Sequence, residues 1–369
     1  MEKPIRILQV LGGLDRGGAE TLVMNLYRNI DRTEIQFDFI IHTLKKGDYA
    51  EEIESLGGII FYCPSYRGKN HFSYRKWWKA FFLQHPEYKV LHSHVRSCAS
   101  LYLPIAKKYG LKTIIHSHNT SEGKGVSALV KRILQIPLRY QADYLFACSG
   151  IAGRWLYGKK ALKKEKYVLF PNAIDLAQYC FHTETRDSFR KQLLIQEEPV
   201  WIHVGRFTEQ KNHSFLLEVF SEIVKIRPTA KLVLVGDGPL RDKIEEKIDR
   251  LDLQKNVLLL GVRKDVAGLL QAADGFLFPS KWEGFPVTVV EAQAVGLPCL
   301  ISDTITKEAA LSEAVRQKSL RQSPADWAKE ALDQLGKRYD TREELIKEGF
   351  EIHASAEKLA AFYEKLANE

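Results

Sequence analysis

The sequence predicts an α/β protein of two domains, each containing a parallel β-sheet. Short and almost continuously apolar runs alternate with longer amphipathic stretches, a pattern typical of βαβ units whose strands are buried on both faces. The alternation breaks at 171–199, where turn residues and a charged helical segment come before a new apolar run. The length of 369 residues suits two domains of ordinary size.

The predicted strands follow the apolar runs. Those of the first domain are IRILQV, FDFII, GIIFY, KVLHSH, TIIHSH, YLFACS and YVLF, and those of the second are VWIHVG, KLVLVG, VLLLG, GFLFPS and PCLIS. Helical segments between them include AETLVMNLYRNI, SFLLEVFSEIVKI and RDKIEEKIDRL. Such tandem domains leave a cleft between them, and their ligands bind beyond the carboxyl ends of the strands.

The predicted domains are 1–175 and 176–369. The C-terminal stretch 325–369 lacks strand patterns and is expected to form amphipathic helices that pack back onto the domains. Its last helix, about 350–369, is a candidate to return to the first domain. The aromatic and aliphatic residues of these helices are predicted to be packing residues: Trp327, Leu359, Phe362 and Tyr363.

Composition predicts a cytoplasmic protein. No apolar run approaches the roughly 18–20 residues that cross a membrane, and the charged N-terminus lacks the long apolar region of a signal peptide. The five cysteines are scattered without a C-x-x-C pair, which argues against a disulfide framework or a cysteine zinc site.

Charge is distributed unevenly along the chain. Residues 1–198 carry 30 Lys and Arg against 19 Asp and Glu, whereas the remainder carries 24 against 27. A basic half is expected where a domain meets an anionic surface or substrate. A basic surface that only improves solubility would account for the same counts.

A glycine-rich segment, LGGLDRGGAE, follows the first predicted strand. Gly17 and Gly18 permit close approach by a ligand, and the helix that begins near Ala19 offers unpaired N–H groups to an anion. The spacing matches neither G-x-x-x-x-G-K-[ST] nor G-x-G-x-x-G. A tight turn alone would also explain these glycines.

Two cations follow the first strand of the second domain in VGRFTEQKN. Arg206 and Lys211 could converge on a diphosphate. If this segment is considered alone, Arg206 and Lys211 could equally well be two solvated cations on the surface.

Two acids frame a turn and the start of a helix in SKWEGFPVTVVEAQAVGLPC. Glu283 would lie in the loop, N–H groups near Gly284 and Phe285 would face an anion, and Pro286 would open the helix. Glu291 would lie in its second turn, where a carboxylate can accept two hydrogen bonds from ribose hydroxyls.

Backbone after two further strands could line a base pocket. Gly236 belongs to GDGP, while Val262 and Arg263 belong to LLGVRKDV. Together with the cations and the paired acids, these segments fit one ligand, a nucleotide diphosphate sugar.

Five features resemble the retaining glycosyltransferases of family 4, which have the GT-B fold: Arg206, Lys211, the Glu283-x7-Glu291 pair, GDGP and PNAID. The similarity is greatest to bacterial exopolysaccharide and capsular polysaccharide glycosyltransferases of the EpsF type. It implies transfer from a nucleotide sugar, with UDP favoured, retention at the anomeric carbon, and no cofactor or bound metal. Consistent with that, the sequence contains no Asp-x-Asp pair.

The resemblance also implies roles for single residues. Glu291 would bind the ribose, Glu283 the donor sugar, and Arg206 with Lys211 the diphosphate. Gly17 and Gly18 would face a phosphate in the first domain. The segment after Asp303 departs from the family, since it lacks the common Gly-Gly and Gly-Leu-Leu signals.

A histidine after a first-domain strand usually lies near the donor sugar in this family. IIHSHN offers His116 and His118, of which His116 matches the family position better. His92 and His94 form a second pair one strand earlier. A zinc site is the alternative for four histidines, but histidines at strand ends often only bind backbone.

The acceptor is expected to bind the basic half. Segments 66–82 and 127–141 interleave aromatic or aliphatic residues with cations, including Lys131, Arg132 and Arg139. Such segments can seat a helix on an anionic leaflet, so the protein is predicted to be peripheral at the inner membrane face, beside a lipid-diphosphate-linked glycan. Alternatively, the aromatic residues pack inward and the cations stay solvated. No nucleic-acid partner is predicted.

Three other functions are compatible with parts of this pattern. The first two keep the fold and change the chemistry, as a nucleotide-sugar epimerase or a phosphorylase. The third is a non-catalytic, membrane-associated partner subunit, against which the retained acids and cations argue. The glycine spacing does not fit a nicotinamide oxidoreductase.

Overall fold

The computed structural model describes residues 3–118 and 126–369 and divides into two compact units. Unit 1 comprises Met1–Ile174 and Gly349–Glu369, and unit 2 comprises Asp175–Glu348. The division falls one residue before the predicted boundary. The C-terminal segment groups with unit 1, although it follows unit 2 along the chain.

Unit 1 contains a seven-stranded parallel sheet in the order β3-β2-β1-β4-β5-β6-β7. All seven apolar runs predicted in this region form strands. Their bounds are β1 (Ile5–Leu11), β2 (Ile35–Ile41), β3 (Ile60–Tyr62), β4 (Val90–Ser93), β5 (Lys112–Ser117), β6 (Tyr144–Ala147) and β7 (Tyr167–Leu169).

One acid lies inside this apolar sheet. Asp38 of β2 is fully buried, yet it accepts hydrogen bonds from Arg6 Nε and Nη2 at 2.5 Å each, and from Tyr88 Oη and the Ile59 N–H at 2.7 Å. Both carboxylate oxygens are therefore paired, which offsets the cost of burying the charge. The bonds from Arg6 join β1 to β2, and the bond from the Ile59 N–H joins β2 to the residue that precedes β3.

Helices connect the strands of unit 1 and cover its sheet. They are α1 (Gly18–Asn29), α2 (Ala50–Ser55), α3 (His71–Gln84), α4 (Ala99–Lys108), α5 (Val126–Gln135), α6 (Leu138–Gln141) and α7 (Gly150–Tyr157), with a 3-10 turn at Ala161–Lys163. Within the described part of the chain, none of the helices combines the length and apolarity that crossing a membrane requires.

Helix α3 corrects part of the membrane-contact prediction for 66–82. Tyr74, Trp78, Phe81 and Phe82 are buried in the core of unit 1 rather than presented outward. Lys76, on the same helix, is exposed. The amphipathic pattern of this segment therefore reflects ordinary core packing, the alternative considered for it.

Unit 2 contains a six-stranded parallel sheet in the order β10-β9-β8-β11-β12-β13. Five of its strands match predicted runs. The sixth, β13, is an edge strand of sequence VRQK, too polar to be recognised. The strands are β8 (Val200–Val204), β9 (Lys231–Val235), β10 (Val257–Gly261), β11 (Gly275–Phe278), β12 (Cys299–Ser302) and β13 (Val315–Lys318).

The helices of unit 2 include the two segments predicted between its strands, SFLLEVFSEIVKI and RDKIEEKIDRL, and the charged helical segment predicted within 171–199. The full set is α8 (Thr183–Gln192), α9 (His213–Ile226), α10 (Arg241–Arg250), α11 (Val266–Ala272), α12 (Val287–Ala294), α13 (Pro324–Asp333) and α14 (Arg342–Lys347), with 3-10 turns at Glu209–Lys211 and Lys307–Ala309. Trp327 of α13 is fully buried, which confirms its predicted packing role.

The last helix, α15 (Ile352–Asn368), packs against α1 and against β1, β2 and β4 of unit 1. Leu359 and Tyr363 are buried, as predicted, and Phe362 packs against the same core. The Tyr363 hydroxyl also accepts a hydrogen bond from Gln9 Nε2 at 3.0 Å and lies 2.6 Å from His92 Nδ1. The C-terminal helix thus supports residues close to the histidines at the end of β4.

Candidate active site

The candidate site of unit 2 lies at the carboxyl ends of β8 and β11. These strands are neighbours, but β9 lies on the other side of β8, so the strand order reverses between β8 and β11. Ligands of open parallel sheets bind where the order reverses. The loops at 205–212 and 279–286 both start from this point.

Lys211 and Glu283 form an ion pair between these two loops. Lys211 Nζ lies 2.8 Å from Glu283 Oε1, and Gln210 Nε2 donates to Glu283 Oε2 at 2.9 Å. The two charged side chains are only 16% and 7% exposed. The Lys211 ammonium also stands 4.5 Å from the ring centroid of Phe278. Both carboxylate oxygens are thereby held, which fixes the orientation of the acid.

Backbone contacts tie the same two loops together. The Lys281 N–H donates to the Gln210 carbonyl at 2.8 Å, and Asn212 Nδ2 donates to the Pro279 carbonyl at 3.1 Å. Asn212 has a φ of 57°, a left-handed conformation that asparagine tolerates better than most residues. These bonds hold Lys211 and Glu283 at a constant separation.

Arg206 is placed differently from Lys211. It directly follows the strand–loop junction of β8, and its side chain is exposed, outside the Lys211–Glu283 ion pair. The predicted convergence of the two cations on one diphosphate therefore stays a prediction.

Glu291 lies in the second turn of α12, where it was expected, and hydrogen-bonds with the Tyr179 hydroxyl. Burial raises the pKa of Glu291 to about 6, with the Tyr179 hydrogen bond acting in the opposite direction. Burial, and the nearby Glu291 carboxylate, raise the pKa of Tyr179 well above its usual value. No motif around Tyr179 could have revealed this contact in the sequence.

The turn 284–286 leads directly into α12, which begins at Val287, one residue after the predicted start at Pro286. Two buried hydroxyl oxygens near this helix start, Ser280 Oγ and Thr288 Oγ1, have no hydrogen-bond partner among the described residues. Hydroxyls and the unpaired N–H groups of a first helical turn are suitable donors for a phosphate oxygen. Sequence reasoning missed both hydroxyls.

Gly236 lies where only glycine fits. Its φ is 137°, and a Cβ at this position would come within 2.1 Å of the Gly205 carbonyl oxygen. The loop after β9 therefore passes directly against the loop after β8, which carries Lys211.

The other two predicted base-pocket residues differ in their surroundings. The Val262 side chain is 71% exposed, whereas Arg263 pairs with Asp265 through an Nε–Oδ1 distance of 2.8 Å.

Unit 1 has its own cavity of about 380 Å³ at the end of β1. The glycine-rich loop 12–17 lines it together with Glu20, Thr43 and Lys45. Glu20 folds back so closely that a Cβ at Gly17 would lie 2.4 Å from its Oε2 atom, and burial raises the pKa of Glu20. Gly18 begins α1, and a Cβ added there would have no atom within 4 Å.

The rings of four histidines, His92, His94, His116 and His118, pack together as a stack at the ends of β4 and β5, and one hydrogen bond joins two of them. His94 Nδ1 lies 2.8 Å from His118 Nε2, and His94 Nε2 lies 3.0 Å from Gln9 Oε1. Burial lowers the pKa of His92 and of His118 to about 3, and that of the other two well below the usual value. All four rings are therefore neutral at physiological pH.

The two sugar-binding candidates differ in access. His116 is 1% exposed, and the rings of Phe146 and Phe170 lie against it. His118 is partly exposed and follows the end of β5. The structure thus leaves His118 the more accessible of the pair, although His116 was the better match to the family position.

The distances within this stack are compatible with a metal ion. Ligand atoms of His92, His94 and His116 all lie within 4.8 Å of one another. Both ring nitrogens of His94 are already engaged, by His118 and Gln9, so metal binding would have to break one of these hydrogen bonds. The predicted absence of a metal stays a prediction.

Family comparisons cover nearly the whole chain. Residues 16–178 match the family described as Glycosyltransferase Family 4, and residues 185–352 match the family described as Glycosyl transferases group 1.

Curated relatives match over similar lengths. The glycosyltransferase EpsF of Bacillus subtilis (strain 168) is 37% identical over 361 residues, which span 92% of this chain and 94% of the relative. The capsular polysaccharide biosynthesis glycosyltransferase CapH of Staphylococcus aureus is 25% identical, over 88% and 89% of the two chains. The UDP-Gal:alpha-D-GlcNAc-diphosphoundecaprenol alpha-1,3-galactosyltransferase of Escherichia coli is 28% identical over 60% of this chain and 59% of the relative.

Solved structures show the same fold. HepE of Anabaena in complex with UDP and glucose superposes with a TM-score of 0.78 at 17% identity, over 98% of this chain and 99% of that one. A glycosyltransferase from Rickettsia africae ESF-5 gives a TM-score of 0.81 at 16% identity, over 99% of each chain. Two parallel-sheet units of this kind constitute the GT-B fold.

Proposed function

The chain belongs to the family 4 glycosyltransferases, and on that premise we propose that it transfers a sugar, with retention, from a UDP-linked donor to a lipid-linked glycan in polysaccharide biosynthesis. The observation that carries the proposal is the Lys211–Glu283 ion pair at the reversal point of the second sheet, in the loop that leads into the helix of Glu291. The names of CapH and of the galactosyltransferase, and the UDP complex of HepE, support the choice of acceptor and donor.

We assign the donor to the carboxyl edge of the unit 2 sheet. Lys211 and the start of α12 bind the diphosphate, and Arg206, being exposed, turns toward it when it binds. Glu291 accepts hydrogen bonds from the ribose hydroxyls. Gly236, Val262 and Arg263 border the base, with the exposed Val262 side chain against its ring.

The reaction that we propose breaks the bond between the anomeric carbon and a diphosphate oxygen. The nucleoside diphosphate leaves with the electron pair, and Lys211, Arg206 and the helix start stabilise its growing negative charge. The acceptor oxygen forms the new bond on the same face of the sugar, and its proton goes to an oxygen of the departing diphosphate. Glu283 holds the donor sugar and does not form a covalent bond. The proposal requires no metal and no cofactor.

We assign the acceptor side to unit 1. The cavity at the glycine-rich loop, which Gly17 lines and Gly18 follows, suits a phosphate-bearing acceptor because Arg16 and Lys45 line it and the first turn of α1 borders it. Lys45 now pairs with Asp15 at 3.1 Å, so the phosphate would replace that partner. His118 is the proposed neutral hydrogen-bonding group for a sugar hydroxyl, and His116 supports its ring from below. A lipid-linked acceptor places the enzyme at the inner face of the membrane.

The test begins with thermal shifts in the presence of UDP, GDP and ADP, and continues with labelled sugar donors of the stabilising nucleotide and membrane lipid extracts. We expect stabilisation by UDP and labelled glycolipid product with an unchanged anomeric configuration. The double variant Arg206→Ala, Lys211→Ala should lose turnover severely. Near-normal transfer by this variant would refute the charge assignment. Epimerised or phosphorolysed donor without any acceptor would instead establish one of the two alternative enzyme classes.

A further inference from the structure

Helix α5 carries an apolar stripe that the described residues of unit 1 leave uncovered. Its residues and those just beyond it, here called the α5 face, are 49–71% exposed: Leu129, Val130, Ile133, Ile136 and Tyr140. Leu129, Val130 and Ile133 are at i, i+1 and i+4, so they lie on one side of α5, while Ile136 follows the helix and Tyr140 belongs to α6. The opposite side of α5 is anchored, since Ala128 and Gln135 are buried, and Leu138 of α6 is buried beside them.

The surroundings of this stripe are cationic. Residues 126–142 contain three Lys or Arg and no acid, and residues 144–164 contain five and no acid. Arg132 and Arg139 line a groove of about 190 Å³, together with Trp155 of α7. The turn after α7 approaches the same place, because a Cβ at Gly158 would lie 3.2 Å from Arg139 Nη1. Exposed lysines follow that turn immediately: Lys159 and Lys160.

We propose that the α5 face docks this enzyme on an anionic lipid bilayer. The aliphatic side chains enter the boundary between headgroups and acyl chains, and Arg132 and Arg139 bind lipid phosphates in the groove beside them. The inference rests on the proposed function only for its purpose, which is to bring the enzyme to a lipid-linked acceptor. It goes beyond that function by assigning the contact to α5 and withdrawing it from α3, most of whose aromatic residues pack into the core, although Phe72 at its first turn is exposed.

A second copy of this chain is a poorer occupant of the same face. A two-fold symmetric contact would place identical cationic surfaces against each other, and these repel. An anionic bilayer offers both an apolar layer for the stripe and negative charge for its rim. Each Lys or Arg near such a surface contributes about fivefold to binding, so two of them contribute on the order of twentyfold.

The experiment is flotation of the full chain with phosphatidylcholine vesicles and with phosphatidylcholine–phosphatidylglycerol vesicles, without donor or acceptor. We expect the wild type to float only with the anionic vesicles. Ile133→Glu should reduce binding at least tenfold, and Arg132→Gln with Arg139→Gln on the order of twentyfold. The matched control is Leu83→Glu, which places the same charge at a 71% exposed leucine of α3 and should bind like the wild type.

Melting temperature and UDP affinity of each variant verify that it folds. The proposal is overturned if the wild type shows no preference for anionic vesicles, or if a folded Ile133→Glu variant floats as the wild type does. A dimer that Ile133→Glu dissociates, without vesicle binding, also overturns it and assigns the face to a second copy. Transfer to a detergent-solubilised acceptor separates the two proposals: transfer without flotation refutes docking alone, and flotation without transfer refutes the proposed reaction alone.

Discussion

The Lys211 ammonium lies 2.8 Å from Glu283 Oε1, so the cation that we assign to the diphosphate and the acid that we assign to the donor sugar contact each other directly. A diphosphate that binds Lys211 must compete with this carboxylate. Binding at the phosphate end of the donor therefore changes the charge around the acid that holds its sugar end. If the donor binds as proposed, the ion pair couples its phosphate end to its sugar end.

Glu283→Gln tests this coupling. The substitution keeps the size of the side chain but removes the negative charge that competes for Lys211, so UDP should bind as tightly as before or a few times more tightly. Sugar transfer should fall about 10²–10³-fold, because the transition state loses a positioned carboxylate. Calorimetry with UDP and a transfer assay measure the two quantities. Glu209→Gln is the control, since Glu209 pairs with Lys281 across the same two loops but is 70% exposed. Unimpaired transfer by Glu283→Gln would remove Glu283 from the site.

The sheets were predictable from the sequence because parallel strands that are buried on both faces consist of nearly continuous apolar runs. The strand β13 escaped detection because it is an edge strand of sequence VRQK, and its identity comes from pairing with β12 rather than from its own pattern. Long amphipathic helices were equally visible. The aromatic residues of α3 show the limit of composition, since a buried and a membrane-facing aromatic stripe look alike until their surroundings are known.

The site was predictable only where a motif carried it. Glu283 and Glu291 stand out through their spacing around a turn and a helix start. No motif indicated three further residues of the site, Tyr179, Gln210 and Thr288, because the fold alone brings each of them there. Gln210, for example, forms its hydrogen bond with Glu283, which lies 73 residues later in the chain. No local pattern encodes such a contact.

Glu291 should make stability depend on pH. Its folded-state pKa of about 6 exceeds the ordinary 4.5, so the folded protein favours the protonated acid. This stabilisation is complete below about pH 4.5 and is lost as the pH rises through about 6, a change of about 2 kcal/mol. Glu291→Gln stays neutral throughout. Urea unfolding at about pH 4.5 and about pH 7.5 should therefore show the variant gaining about 2 kcal/mol over the wild type at the higher pH.

The same substitution should weaken UDP binding at neutral pH, because it replaces one of the two carboxylate oxygens that accept the proposed ribose hydrogen bonds with an NH2 donor. Tyr179→Phe removes the hydrogen bond that lowers the pKa of Glu291, so it should shift the acid limb of UDP binding to higher pH. An identical pH profile of unfolding for the wild type and Glu291→Gln would show that the acid is not buried as described.

Gly236→Ala should destabilise unit 2 by more than about 2 kcal/mol, since it adds a clash to an unfavourable backbone conformation. The clash is with the Gly205 carbonyl oxygen, 2.1 Å from the new Cβ. Gly336→Ala separates the two causes: its φ of 80° is also left-handed, but no atom lies within 4 Å, so we expect a cost of about 1 kcal/mol. If thermal unfolding shows that both variants lose the same free energy of unfolding, the close approach of the two loops does not contribute to the cost of Gly236→Ala.

His116 and His118 should respond oppositely to truncation, because one is part of a core and the other lies at its edge. His116→Ala opens a cavity beside Phe146 and Phe170 and should cost about 2–4 kcal/mol in the free energy of unfolding. His118→Ala removes a partly exposed ring, so stability should fall by no more than about 1 kcal/mol, mainly through the lost contact with His94. Transfer by His118→Ala should nevertheless drop at least tenfold at unchanged UDP affinity, since the proposed contact is with a sugar hydroxyl. Normal transfer by His118→Ala, together with slow transfer by a folded His116→Gln variant, would reassign the sugar contact to His116 and require the stack to open during turnover.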